Sequence, residues 1–258
     1  MGQKRYDLVL LHGLTNRHRW SDQFLNRCLE HWGSGHVYPV YLNHYNDVSI
    51  APVQEKLLIS IGKNNYTAGC ACISAQAGIL AEKVKILQEN HGLSSPFYII
   101  AHSLGGVVAR CYIHHNPNAV AGLVTLATPH HGSPMARDYG WFSHVLGAKN
   151  AFDNLTPEYM SKFNRLYPIN QSPLFGDGKI FTVRGIADGK LDEWGWGGET
   201  ILGWYHMKLF HNTLSDGLVP DYSAVIEGAH HIGDFPHHAH MDLVTNPSVA
   251  QLCSEYLC

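Results

Sequence analysis

Long apolar runs are missing from this sequence. The longest, such as residues 119–127, fall far short of the roughly 20 residues that a membrane helix needs, so no bilayer span is expected. Cysteine is sparse, with six in 258 residues (Cys28, Cys70, Cys72, Cys111, Cys253 and Cys258), and Cys70 and Cys72 stand too close together to suggest a disulfide framework. Reduced thiols in a cytoplasmic setting are the expectation. The alternative is a secreted protein with its signal trimmed, since Met1 to Arg5 lead straight into strand-like residues with no apolar signal region. Blocks of basic residues are also missing and the formal net charge is -3, which removes the electrostatic drive toward nucleic acid. There is no glycine-rich phosphate loop, and no redox or nucleotide cofactor is called for. Without internal repeats or low-complexity linkers, residues 1–258 are expected to fold as one domain.

What remains is an ordinary globular composition, 45% hydrophobic and 15% charged, arranged with a rhythm. Apolar runs of strand length at 7–11, 36–41, 96–101, 120–128 and 179–183 alternate with helix-period stretches at 20–31, 74–88, 105–115 and 248–257. Strand-length runs separated by helices predict β-α-β units and a mostly parallel central sheet flanked by helices. The alternation stalls at 133–178 and 186–214, where aromatic residues mix with Gly, Pro and Asn. These stretches are expected to be cap or lid insertions over the carboxyl edge of the sheet, where ligands bind in such folds.

The most informative stretch runs from Pro96 through Ala101-His102-Ser103-Leu104-Gly105 to Arg110. A buried strand ends at Ser103 and a helix begins at once, the context of a nucleophile elbow, G-x-S-x-G. Ala101 replaces the first glycine and is still small enough for the tight turn. Gly106 and Ala109 would let the helix approach the sheet closely. A serine here can also simply cap a helix, but the strand-turn-helix setting favours a nucleophile. After the first strand, His12-Gly13-Leu14 would bend the backbone so that the Leu14 amide joins the Leu104 amide as an oxyanion hole, with His12 bracing the loop. In this arrangement the acid follows the serine and the histidine follows the acid. Asp216, in Ser215-Asp216-Gly217-Leu218-Val219-Pro220, and His240, just before the final helix, form the best pair. Asp188 is a competing acid, and His230, His231, His237 and His238 crowd the histidine assignment.

These segments resemble those of bacterial triacylglycerol lipases and related esterases of the α/β-hydrolase superfamily, over most of the chain. The resemblance rests on the His-Gly-Leu after the first strand, the Ala-His-Ser-x-Gly-Gly elbow and Thr128-Pro129-His130-His131-Gly132-Ser133. It also rests on the segment from Asn154 to Asn164, the acid turn and the His240-Met241-Asp242 sequence. It implies an α/β-hydrolase fold with insertions after the sixth and seventh core strands, Ser103, Asp216 and His240 as triad, and Leu14 and Leu104 as oxyanion donors. It favours Asp216 over Asp188. The family resemblance implies a structural calcium or zinc ion in such lipases. Asp242 resembles one calcium ligand, Asp192 is a candidate partner, and Asp242 could equally begin the final helix. The catalytic reaction itself requires no metal.

The insertions hold Trp141, Trp194, Trp196 and Trp204 with Phe142, Phe152, Phe163, Tyr205 and Phe210. Above an elbow such residues build an apolar acyl pocket or a movable lid, or a small core of the cap itself. The expected reaction is hydrolysis of a carboxylic ester with an aliphatic acyl chain through an acyl-enzyme. The expected partner is a small-molecule or lipid ester, with at most transient contact with a lipid interface. A thioesterase, amidase or acyltransferase on the same triad, and a non-catalytic binding protein of this fold, are the alternatives.

Overall fold

The computed structural model describes residues 4–16, 20–138, 148–189 and 199–258. Eight strands form one sheet in the order β3-β4-β2-β1-β5-β6-β7-β8. They are β1 (Leu8–Leu11), β2 (Val37–Val40), β3 (Val48–Val53), β4 (Lys56–Ile61), β5 (Phe97–His102), β6 (Val120–Leu126), β7 (Ile180–Ile186) and β8 (His230–Pro236). All neighbouring pairs are parallel except the β3–β4 hairpin. The mostly parallel sheet expected from the sequence is therefore present.

Why the central strands read as continuous apolar runs is plain from their surroundings. All four residues of β1 are fully buried, because helices cover both faces of the sheet. Val9, Leu11, Ile99 and Ala101 face a core shared with α2 (Ile73–Asn90) and α3 (Leu104–His115). Leu8, Leu10, Tyr98 and Ile100 face the opposite core, shared with α1 (Asp22–Trp32) and α8 (Pro247–Tyr256). The period-two alternation of the strands thus divides the apolar side chains between two layers. Ser21 caps α1 by accepting from Phe24 N at 3.1 Å, and its own hydroxyl donates to Thr245 O. One cap therefore both starts a helix and ties it to the segment leading into α8.

Three strands were not anticipated. β3 and β4 form the hairpin at one edge of the sheet, and β8, rich in histidine, is the opposite edge. β8 carries polar, half-exposed side chains and so lacks an apolar signature, whereas β3 and β4 carry short apolar runs that lie largely exposed or half-buried at the margin. The stretches at 133–178 and 186–214, where no regular pattern was legible, contain α4 (Pro134–Asp138), α5 (Lys149–Asp153), α6 (Pro157–Leu166) and α7 (Glu199–His211). Much of the first stretch is embedded in the main fold, since Leu155, Met160 and Phe163 are buried in the same core as α2 and α3. Phe163 and the partly buried Phe152 therefore pack against the core, while Trp141, Phe142, Asp192, Trp194 and Trp196 lie outside the described residues. Among the described residues no helix is long and apolar enough to cross a membrane.

Candidate active site

Ser103 stands where β5 passes into α3, with φ 54° and ψ -129°. A non-glycine residue held at positive φ costs on the order of 1–3 kcal/mol and persists only where its surroundings fix it. They do so here. Ser103 N donates to Leu126 O at 2.8 Å, and Gly106 N donates back to Ser103 O at 3.1 Å. Although Ser103 occupies the N-cap position, its side chain makes no capping hydrogen bond. The turn is seated by Gly106, where a Cβ would lie 2.0 Å from Thr128 Oγ1, so a larger residue would push α3 off the end of β6.

The His12-Gly13-Leu14 segment lies directly against this turn. A Cβ on Gly13 would fall 2.7 Å from Ser103 Cβ and 3.3 Å from its Oγ. His12 is buried and braces the loop. Its Nδ1 donates to Gly13 O at 2.7 Å, while its Nε2 accepts the Leu42 amide at 2.9 Å. Both ring nitrogens are committed in the neutral form, and burial, reinforced by the charge of Lys83, lowers its pKa to about 4. Leu14 opens a short 3-10 turn and Leu104 is the first residue of α3.

Asp216 and His240 come together from two loops. Asp216 Oδ2 receives His240 Nδ1 at 2.6 Å, and both side chains are almost fully buried. The other carboxylate oxygen accepts the Leu218 and Val219 amides at 3.0 and 2.8 Å. The backbone joins them again, with His240 N donating to Asp216 O at 2.8 Å. His102 Nε2 then meets His240 O at 3.0 Å. The residue beside Ser103 thereby holds the backbone of the paired histidine.

The competing residues are used elsewhere. Asp188 pairs with the exposed His237 at 2.7 Å. His231 bridges Thr182 and Asp234, His230 lies against Phe181, and His238 bridges Pro236 O and the Asn246 amide. Asp242 accepts the Ala239 amide at 2.7 Å and opens the turn after His240. Among the described residues it belongs to no His, Cys, Asp or Glu group able to hold an ion. Asp242 thus shapes the histidine loop, and Asp192, its candidate partner for calcium, lies outside the described residues.

Several supporting residues carried no assigned role in the sequence. Arg110, buried on α3, donates to His130 Nδ1 at 3.2 Å and to Tyr167 O at 2.8 Å and lies over the Phe163 ring. His130 is therefore neutral with its proton on Nε2, from which it donates to Thr125 Oγ1, which donates to Phe181 O. Burial holds its pKa well below the usual imidazole value, with the Arg110 charge adding to the effect. The neighbouring residues of the same motif fasten the acid turn. Ser133 Oγ donates to Leu218 O, and Ser223 Oγ donates to Gly132 O while accepting the His131 amide. A lone arginine on an apolar helix face was the only sequence signal for Arg110, and Ser223 carried none.

A family model described as a PGAP1-like alpha/beta domain matches residues 70–172, a span that holds Ser103 but neither Asp216 nor His240. Among solved structures, the chain is similar to a lipase from Bacillus licheniformis in its mature form, with a TM-score of 0.65 and 21% identity. That match covers 95% of this chain and 88% of the lipase. This chain has the α/β-hydrolase fold. A metagenomic carboxyl esterase gives a TM-score of 0.63 at 17% identity, covering 99% of this chain and 76% of the esterase. Lipase 1 from Pelosinus fermentans gives 0.58 at 12% identity and covers 99% of each chain. No curated protein sequence matches the chain. These three neighbours are two lipases and a carboxyl esterase.

Proposed function

We propose that the chain is a serine hydrolase of carboxylic esters with aliphatic acyl chains, acting through an acyl-enzyme. Three features around the elbow support this reading. They are a strained serine whose hydroxyl takes no part in capping, a glycine loop packed against it, and a buried histidine-aspartate pair tied to it through His102. In this reading Ser103 Oγ attacks the ester carbonyl and His240 Nε2 takes its proton. Asp216 keeps the other imidazole proton on Nδ1 and stabilises the imidazolium. The Leu14 and Leu104 amides receive the oxyanion, a donor worth about 10²- to 10³-fold in rate where it has been removed in such sites. His240 then returns the proton to the leaving alkoxide, and water, activated by the same imidazole, releases the acid.

The lipid character of the substrate is supported by α7. Leu202, Leu209 and Phe210 are 70%, 73% and 75% exposed and lie on one helix, a grouping that suits contact with an apolar surface. α7 also packs next to the acid turn, since a Cβ on Gly203 would collide with Gly217 O. A lipid contact on this helix would therefore lie close to Asp216.

A fluorophosphonate probe tests the nucleophile directly. One equivalent of label on Ser103, lost in Ser103→Ala and slowed at least about 10³-fold in His240→Ala, is the expected result. Labelling elsewhere, or none, would leave a binding protein of this fold. A labelled enzyme that cleaves thioesters or amides but no ester would move the substrate class.

A further inference from the structure

Away from Ser103, Asp138 at the end of α4 meets two histidines of α7. His206 Nε2 and His211 Nε2 approach the same carboxylate oxygen, Asp138 Oδ2, at 3.0 and 3.1 Å. The two imidazole rings lie 5.1 Å apart between centroids. Three ligand atoms from three side chains thus lie within 4.8 Å of one another, and among the described residues this is the one such His, Cys, Asp or Glu group. All three side chains retain access to solvent, at 28%, 11% and 24% exposure for Asp138, His206 and His211.

We infer that Asp138, His206 and His211 form a zinc site that clips α7 to α4. A tetrahedral zinc ion with bonds of about 2.0–2.2 Å to nitrogen and oxygen separates its ligand atoms by about 3.3 Å. The observed 3.0 and 3.1 Å contacts therefore need to open by only a few tenths of an ångström. Two imidazoles and one carboxylate suit zinc, whereas calcium and magnesium prefer shells of oxygen alone. The fourth position falls to water. Without metal, each imidazole donates a hydrogen bond from Nε2–H to the carboxylate. Binding requires that proton to move to Nδ1 through solvent, leaving both rings neutral and Nε2 free to ligate. Arg137 holds the other carboxylate oxygen, with Nε to Oδ1 at 3.0 Å, which orients Oδ2 toward the two rings.

The second and third ligands explain why such a clip would matter. His206 and His211 are five residues apart, a spacing that does not share one helical face, and they converge because His211 is the last residue of α7. The same helix is seated on Gly217 and donates from Trp204 Nε1 to Ala187 O at 2.8 Å. A metal between α4 and α7 would therefore fix the helix that covers the acid turn. This zinc site stands whether or not the ester reading holds, because its test reads metal binding.

The experiment is calorimetric titration of the reduced, metal-stripped full chain with zinc, alongside the absorption spectrum of the cobalt(II) form. One equivalent of zinc, a raised thermal midpoint and a tetrahedral cobalt spectrum without thiolate charge transfer are expected. Affinity should fall more than about 100-fold in His206→Gln and in Asp138→Asn, because even a hydrogen-bond partner of a ligand is worth 10–100-fold. Asp138→Asn retains an acceptor for both imidazoles and carries the comparison if His206→Gln folds poorly. No binding at millimolar zinc, or binding undiminished in both variants, would overturn the site. The latter would place the ion among the other seventeen histidines and the six cysteines of the chain.

Discussion

His12 shows how one buried side chain links stability to the geometry around the nucleophile. Its neutral form holds Gly13 O and the Leu42 amide at once, and burial lowers its pKa from 6.5 to about 4. As pH falls through 6.5 the unfolded chain takes a proton that the folded chain refuses until about pH 4. Stability from this group is therefore complete above about 6.5 and declines across that window by roughly 1.4 kcal/mol per pH unit. Urea unfolding at pH 6.5 and pH 5 should show the wild type losing about 2 kcal/mol more than His12→Gln. Equal losses would mean that His12 takes up its proton in the folded state as readily as in the unfolded one. The sequence placed His12 as a brace, and both hydrogen bonds agree with that reading. Ser103, Asp216 and His240 were legible as candidates because the small residues around the serine and the short acid-turn and histidine motifs are local patterns. Arg110, Thr125 and Ser223 were not, because their partners lie on distant segments and no spacing records the contact.

Two helices carry most of the account's consequences at the level of elements. α3 must sit close enough to the sheet for Ser103 to keep its strained turn, and Gly106 provides that room beside Thr128. Gly106→Ala should force the helix outward, destabilising the protein by about 1–3 kcal/mol as overpacked cores do. Its thermal midpoint should fall with any hydrolytic activity, and an unchanged midpoint would mean that Thr128 yields instead. α7 presents Leu209 and Phe210 to solvent. Replacing both with serine should lower the ratio of emulsified long-chain to soluble short-chain ester hydrolysis several-fold, since each fully buried large apolar side chain is worth roughly 1.5–3 kcal/mol. An unchanged ratio would remove α7 from the lipid contact. α7 was not legible as helix because its apolar residues serve two environments, core and surface; α4 and α5 are five residues each, too short to show a period, and the amphipathic α6 was hidden by the Gly, Pro and Asn around it.

For the molecule as a whole, the buried centre of the sheet was readable and its margins were not. β1, β5 and β6 are covered on both faces and announce themselves as apolar runs. The β3–β4 hairpin lies at one margin with apolar but largely exposed residues, and β8 at the other is an edge whose polar side chains conceal the strand. The candidate site was legible for a related reason. It gathers at the carboxyl ends of β1 and β5 and in the loops after α7 and β8, and loop residues carrying chemistry follow short motifs more than long periodicities. What the whole arrangement predicts is an esterase whose activity depends on one hydroxyl. The most direct measurement is hydrolysis of p-nitrophenyl esters from acetate to palmitate by the wild type and Ser103→Ala. Turnover by the wild type and a loss of at least about 10³-fold in the variant are the predicted result. Equal rates in the two proteins, or no turnover of any ester by the wild type, would contradict it.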